Sequence, residues 1–228
     1  MRLSIIMPVY NEKETIAEII RKVKEVDLND IKKEIIIVDD FSTDGTRKIL
    51  EKVKDNEIKI IYHDKNMGKG YAIRTALKYV TGDIVIIQDA DLEYNPEDYI
   101  KLILPIIKGE NKVVYGSRML GKNKYSSLSF FLGGQLVTFV ANLLYGTKIT
   151  DEPTCYKVFN SDVIKNLNLE CKGFEFCPEV TAKVAKKGFK IKEIPISYYP
   201  RDKKHGKKIN WKDGLEAIWI LIKYRFKN

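Results

Sequence analysis

The chain has 228 residues, 44% hydrophobic and 31% charged, which suits one folded domain with a sizeable core and excludes a disordered or low-complexity chain. Forty Lys and Arg against 31 Asp and Glu give a net charge of +9, which favours anionic partners such as nucleotides, lipid phosphates or nucleic acid without choosing among them. Three cysteines (Cys155, Cys171, Cys177) and two histidines (His63, His205) are too few and too irregularly spaced for a disulfide framework or a zinc centre, and point to a reducing, cytoplasmic setting.

In chain order, residues 3–9 read as a strand meeting Pro8, since the apolar run is too short for a signal peptide. Residues 12–26 carry Ile16, Ile19, Ile20 and Val23 at helical spacing. Residues 34–39 are a continuous apolar strand ending in acid, and Ser42, Thr43 and Asp44 are cap candidates for a helix to about Lys54. Strand 58–62, helix 69–80, strand 83–88, a helix opened by Pro96 and running to about Ile107, and strand 112–115 follow. Apolar strands without alternation, separated by helices, predict an α/β fold with a mostly parallel sheet covered on both faces. The second half predicts helix 128–145, a strand at 156–159, helix 178–187 closed by Gly188, strand 189–196, a basic loop at 200–210 and a terminal helix over 211–226. No linker separates two domains, so we expect one domain over 1–228, with a nucleotide-sugar-binding half at 1–117 and an acceptor-binding half at 118–228.

Parallel sheets bind ligands beyond the carboxyl ends of their strands. Three such ends here carry acid. Asp89-Ala90-Asp91 is the sharpest: two carboxylates around one small residue are a hard-oxygen pair for Mg²⁺ or Mn²⁺, which would in turn hold a diphosphate leaving group. The plain alternative is a solvated acidic turn. Asp40, in Asp39-Asp40, suits a base edge or ribose hydroxyl, because Ser42, Thr43 and Asp44 already supply the cap. Tyr10 could stack on a base and Glu12 take a ribose hydrogen; equally, Asn11 could cap the first helix and Glu12 favour its dipole.

Asn66-Met67-Gly68-Lys69-Gly70 precedes a helix and lets backbone approach an anion, although it is neither a Walker loop nor a dinucleotide fingerprint. Arg118, ending the last strand of the first half, offers a fork for phosphate or a surface ion pair. Between Arg201 and Lys208 lie five Lys or Arg plus His205, a solvated face or a mobile lid over a diphosphate.

Pro8-Val9-Tyr10-Asn11-Glu12, Val38-Asp39-Asp40 with Ser42 and Asp44-Gly45-Thr46, Asn66 with Gly68-Lys69-Gly70, and Gln88-Asp89-Ala90-Asp91-Leu92-Glu93 occur in this order. Together they resemble the family 2 glycosyltransferases of GT-A (Rossmann-like) fold, and within them the polyprenyl-phosphate glycosyltransferases, the group of dolichol-phosphate mannose synthase. The resemblance covers nearly the whole chain. It implies an inverting, Mg²⁺- or Mn²⁺-dependent transfer of one sugar from GDP-mannose or a UDP-sugar to a polyprenyl or dolichyl phosphate. It further implies that Pro8, Tyr10, Glu12 and Asp40 contact the nucleotide, with Lys69 and Ala90 in the same donor site. Asp89 and Asp91 would hold metal and diphosphate with Glu93 nearby, where related mannose synthases often carry glutamine. Asp91 and Arg118 would act in catalysis, Arg118 by binding phosphate, and Arg201 and Lys207 would contact the donor diphosphate. The segment 151–157 resembles the acceptor-side segment of related lipid-phosphate enzymes.

An ionised phosphate acceptor needs alignment and charge relief rather than a strong base. A sugar hydroxyl acceptor, the alternative, would need one, with Glu175 or Glu179 as candidates. A nucleotidyltransferase lacks support because its glycine-rich start is absent. A nucleic-acid module is disfavoured because acids at three strand ends would repel a phosphate backbone. No run of about 20 apolar residues occurs, so residues 128–145 read as a buried or interfacial helix. The terminal helix aligns Trp211, Leu215, Ile218, Ile222 and Phe226, and from Arg201 onward nine basic residues face three acidic ones. We therefore expect peripheral attachment at the cytoplasmic face of a membrane, with a membrane-anchored partner subunit as a further possibility.

Overall fold

A computed structural model describes residues 1–124, 127–201 and 211–227. The apolar runs become β1 (Arg2–Val9), β2 (Lys32–Asp39), β3 (Ile58–Tyr62), β4 (Ile84–Ile87), β5 (Val113–Ser117), β6 (Lys157–Asn160) and β7 (Ile191–Pro195). They form one sheet in the order β3-β2-β1-β4-β6-β5-β7. Only β6 is antiparallel to its neighbours, β4 and β5. Register aligns the carboxyl ends: Val9 pairs with Asp39, Asp39 with Tyr62 and Ile6 with Ile87. The tips of β1, β2 and β4 therefore open onto one rim.

The reversal of β6 has a functional consequence. Because β6 starts where β5 ends, residues 151–156 reach the same rim from the opposite chain direction. Strand β7, parallel to β5, delivers Tyr198 and Arg201 to that rim as well.

Helices α1 (Ile16–Glu25), α2 (Thr46–Leu50), α3 (Lys69–Leu77) and α4 (Tyr99–Ile107) connect the first strands, and Ile16, Ile19, Ile20 and Val23 bury the predicted face of α1. Helix α1 begins four residues later than expected. Asn11 does not cap it: its backbone is left-handed at φ 51° and its carboxamide oxygen accepts from Thr43 N instead. Helix α2 ends at Leu50, earlier than expected. A five-residue helix, α6 (Ser161–Lys165), had no periodicity to reveal it and is capped by Asn160, which accepts from Asp162 N.

Helices α5 (Leu128–Tyr145), α7 (Phe176–Lys186) and α8 (Trp211–Phe226) pack together beside the sheet, with Val137, Ala141, Ile149, Ala182, Ile220, Leu221 and Tyr224 as their shared core. The Tyr145 hydroxyl donates to Leu221 O at 2.6 Å, joining α5 to α8. Helix α5 is long and apolar enough, by length and composition, to cross a membrane. It is not the buried helix that was one of two expectations: Leu128, Leu132, Leu136, Phe139 and Leu143 are all exposed. Gly188 closes α7 at φ 77°, as a C′ glycine should.

Candidate active site

The first two rim loops are zipped together by short polar side chains. Asn11 N donates to Ser42 Oγ at 2.9 Å, Glu12 N to Thr46 Oγ1 at 2.9 Å and Lys13 N to Asp44 Oδ2 at 3.0 Å. Asp44 also accepts from Thr46 N, so the predicted cap group helps fix the turn into α2. This zipper sets Tyr10, 36% exposed, and the buried Glu12 at the rim beyond Pro8. Asp39 pairs with Arg47 at 2.8 Å.

Asp40 is buried, and both its oxygens are engaged. Met67 N donates to Oδ1 at 2.8 Å, Gly68 N to Oδ2 at 2.7 Å, and His63 Nδ1 lies 2.7 Å from Oδ1. Asp40 thus braces the glycine loop that opens α3. Gly68 sits at φ 93°, and a Cβ there would drive into the Lys172 carbonyl, so this loop requires glycine. Gly70 N and Tyr71 N donate to Gly173 O and Lys172 O, locking α3 to the 172–173 turn.

Asp89, Ala90, Asp91 and Glu93 leave β4 in a tight turn, with Leu92 left-handed at φ 63° and Glu93 N donating to Asp91 Oδ1 at 3.1 Å. Gln88, buried beneath, donates to Asp89 O at 2.8 Å and accepts from the Tyr99 and Tyr156 hydroxyls at 2.6 and 2.7 Å. Gln88 and these tyrosines anchor the turn. Gln88 opens the Gln88–Glu93 motif, whereas Tyr99 gives no sign of its part in the sequence, because a buried tyrosine looks like ordinary core until its hydroxyl is placed.

Lys69 Nζ lies 2.5 Å from Asp89 Oδ1. Burial works against the Lys69 ammonium, yet the Asp89 charge leaves its pKa above the ordinary value. Arg201 reaches Glu12 at 3.0 and 3.2 Å and Asp91 Oδ2 at 3.1 Å. Burial, aided by the charges of Asp89 and Glu93 and opposed by Arg201, pushes Asp91 up to about 7. Glu93 Oε1 accepts from Arg201 N at 2.7 Å and Oε2 from the Tyr198 hydroxyl at 2.9 Å.

Among the described residues no three His, Cys, Asp or Glu side chains gather into one cluster. Of the expected set of Asp89, Asp91 and Glu93, Glu93 ties down the 198–201 segment with both oxygens. Asp89 and Asp91 supply oxygen ligands of the kind a hard divalent cation takes, one or two carboxylates beside substrate phosphates. Glu12, Asp89, Asp91 and Glu93 face the side-chain cations Lys69 and Arg201.

Arg118 is held by Asp151: Nε donates at 2.8 Å, Nη2 at 2.7 Å and the backbone N at 2.8 Å. Its guanidinium lies 5.2 Å from the centre of the Tyr198 ring, so it stands beside the acidic turn with its fork already paired. Cys155 N donates to the Tyr94 hydroxyl, and the buried Cys155 thiol is pushed well up by burial and by Asp89. Glu175 takes Lys172 N and Gly173 N, while Glu179 takes Glu170 N, Cys171 N, Lys183 and Tyr224. Lys207 and the basic run after Arg201 lie outside the described residues.

Solved structures share this architecture. Glucosyl-3-phosphoglycerate synthase from Mycobacterium tuberculosis, in complex with UDP, superposes with a TM-score of 0.73 at 18% identity, over 98% of this chain and 79% of its own. The same enzyme in complex with Mn²⁺, UDP and phosphoglyceric acid gives 0.72 at 18% identity, over 99% and 79%. The sheet order and flanking helices are those of the GT-A (Rossmann-like) fold. The family model for glycosyl transferase family 2 matches residues 4–167, and the chain belongs to this family. Hexosyltransferase Agl6 of low-salt glycan biosynthesis, from Haloferax volcanii, is 33% identical over 88% of this chain, which spans 48% of that relative's length. A UDP-N-acetylglucosamine–dolichyl-phosphate N-acetylglucosaminyltransferase from Methanococcus voltae is 30% identical over 96% of this chain and 94% of its own.

Proposed function

We propose that the protein transfers one sugar from a nucleotide-sugar, a UDP-sugar or GDP-mannose, to a polyprenyl or dolichyl phosphate at a membrane surface. The Methanococcus voltae relative, aligned over nearly its full length, carries a UDP donor and a dolichyl-phosphate acceptor in its name. In this reading Tyr10 and Glu12 meet the nucleotide, and Asp40 serves it indirectly by shaping the glycine loop. Asp89 and Asp91 would hold Mg²⁺ or Mn²⁺, which when bound stabilises charge on the departing diphosphate. Lys69 and Arg201 bring side-chain charge to the same rim.

The observation that favours a phosphate acceptor is the state of the two candidate bases. Glu175 and Glu179 spend their oxygens on backbone N–H groups and neighbouring side chains. Neither is disposed to take a proton from a hydroxyl, and an ionised phosphate needs no such service. The test is a donor panel incubated with a short polyprenyl phosphate and Mn²⁺, read by mass spectrometry after organic extraction. Sugar-bearing lipid phosphate supports the reading. Label appearing only in water-soluble saccharide would favour a hydroxyl acceptor and reject it.

The membrane side of the proposal rests on two helix faces. On α5, Leu128, Leu132, Leu136, Phe139 and Leu143 share one narrow stripe, and on α8, Trp211, Leu215, Trp219, Ile222 and Phe226 repeat the same spacing. Both stripes point away from the buried seam, and basic Lys212, Lys223 and Arg225 lie beside the second. Apolar, aromatic-rich helix faces edged with lysine suit a lipid interface.

A further inference from the structure

The pair of carboxylates that would bind a divalent cation is already engaged. Asp91 Oδ1 accepts from Glu93 N, and Oδ2 faces the Arg201 guanidinium at 3.1 Å. The same guanidinium holds both oxygens of Glu12. Its Nε is buried, has no hydrogen-bond partner and sits 4.0 Å from Glu93 Oε1, so the fork is one acceptor short. The Arg201 backbone, by contrast, is firmly placed: its N–H donates to Glu93, Tyr199 N donates to Glu93 O, and the Tyr198 hydroxyl takes the other Glu93 oxygen. A pinned backbone carrying an incompletely satisfied guanidinium is a pivot.

We propose that Arg201 is the resident counter-ion of the acidic turn, and that a divalent cation gains Asp91 only by exchanging with this guanidinium while Glu93 holds the backbone in place. The inference rests on the metal reading above. The sign follows from electrostatics: the guanidinium stabilises the ion-free state and so weakens cation affinity by the strength of the contact it gives up. A charged hydrogen bond of this kind corresponds to about tenfold or more in affinity.

Mn²⁺ titration without nucleotide, followed by the electron paramagnetic resonance of free Mn²⁺, tests this. Arg201→Gln is expected to bind Mn²⁺ about tenfold more tightly than the wild type, with Arg201→Lys in between. Equal or weaker binding by Arg201→Gln overturns the exchange and leaves the metal reading standing. Asp91→Asn added to Arg201→Gln should abolish the gain; an unaltered gain places the ion elsewhere and refutes both. Thermal melting gives a second readout. Saturating Mn²⁺ should raise the melting temperature of Arg201→Gln more than that of the wild type, and an equal or smaller rise also overturns the proposal.

Discussion

Arg201 meets Asp91 across 110 residues of chain, with 3.1 Å between guanidinium and carboxylate. The contact joins the segment after β7 to the turn after β4, so the last parallel strand and the acidic turn are held as one unit.

Asp91→Asn keeps the shape of the turn and removes one negative charge. Sugar transfer is expected to fall by about 10²- to 10³-fold, the range for losing one preorganised electrostatic group. The far-ultraviolet circular dichroism spectrum should be unchanged. A mutant with near-normal metal-dependent turnover would exclude the proposed site.

Asp91 also predicts a pH dependence. Its pKa is raised from 3.8 to about 7 in the folded protein, so between these values the folded state binds more protons than the unfolded one. Stability of the metal-free protein should therefore fall as pH rises from about 4 to 7 and level off above. Melting curves across this range should show a smaller decline for Asp91→Asn. Parallel declines in the two proteins would contradict the assignment.

Glu93 is expected to act through position. Glu93→Ala leaves the Tyr198 hydroxyl and Arg201 N without their acceptor, at a cost of about 2–3 kcal/mol in denaturant unfolding. Glu93→Gln keeps an acceptor and the shape, so it should recover most of that stability. If both variants match the wild type in unfolding and transfer, Glu93 does not anchor the segment.

Two glycines of the same backbone sign should behave differently. Gly109→Ala at φ 70° meets open space, so it should cost only about 1–2 kcal/mol for the left-handed conformation. Gly68→Ala adds a backbone collision with Lys172 and should cost several kcal/mol or displace the glycine loop. Equal losses in chemical denaturation would show that the 172–173 turn yields freely.

Leu136→Ser with Phe139→Ser removes the middle of the exposed α5 stripe without touching its buried face. Flotation with liposomes containing anionic lipid should show weaker membrane association at an unchanged melting temperature. Undiminished flotation, or no flotation of the wild type at all, would reject the membrane face.

The sequence by itself determined most of the elements and where acid meets the strand ends, although α6 and the start of α1 escaped it. Ile58–Tyr62, Leu128–Tyr145 and Trp211–Phe226 begin and end where periodicity and turn residues say. The acids at Asp39-Asp40 and Asp89-Ala90-Asp91 were legible because apolar strands run straight into them, and a parallel sheet brings such ends to one edge. Partner choice was decided only in three dimensions, since a carboxylate shows its charge in the sequence but not which donor reaches it first. Asp40 turned to a loop 27 residues on, Glu93 to Tyr198 and Arg201, and Arg118 to Asp151. The pairings of Glu93 and Arg118 depend on the reversal of β6 and the return of β7. Both are long-range strand pairings, set by how the whole core packs rather than by any local pattern of residues.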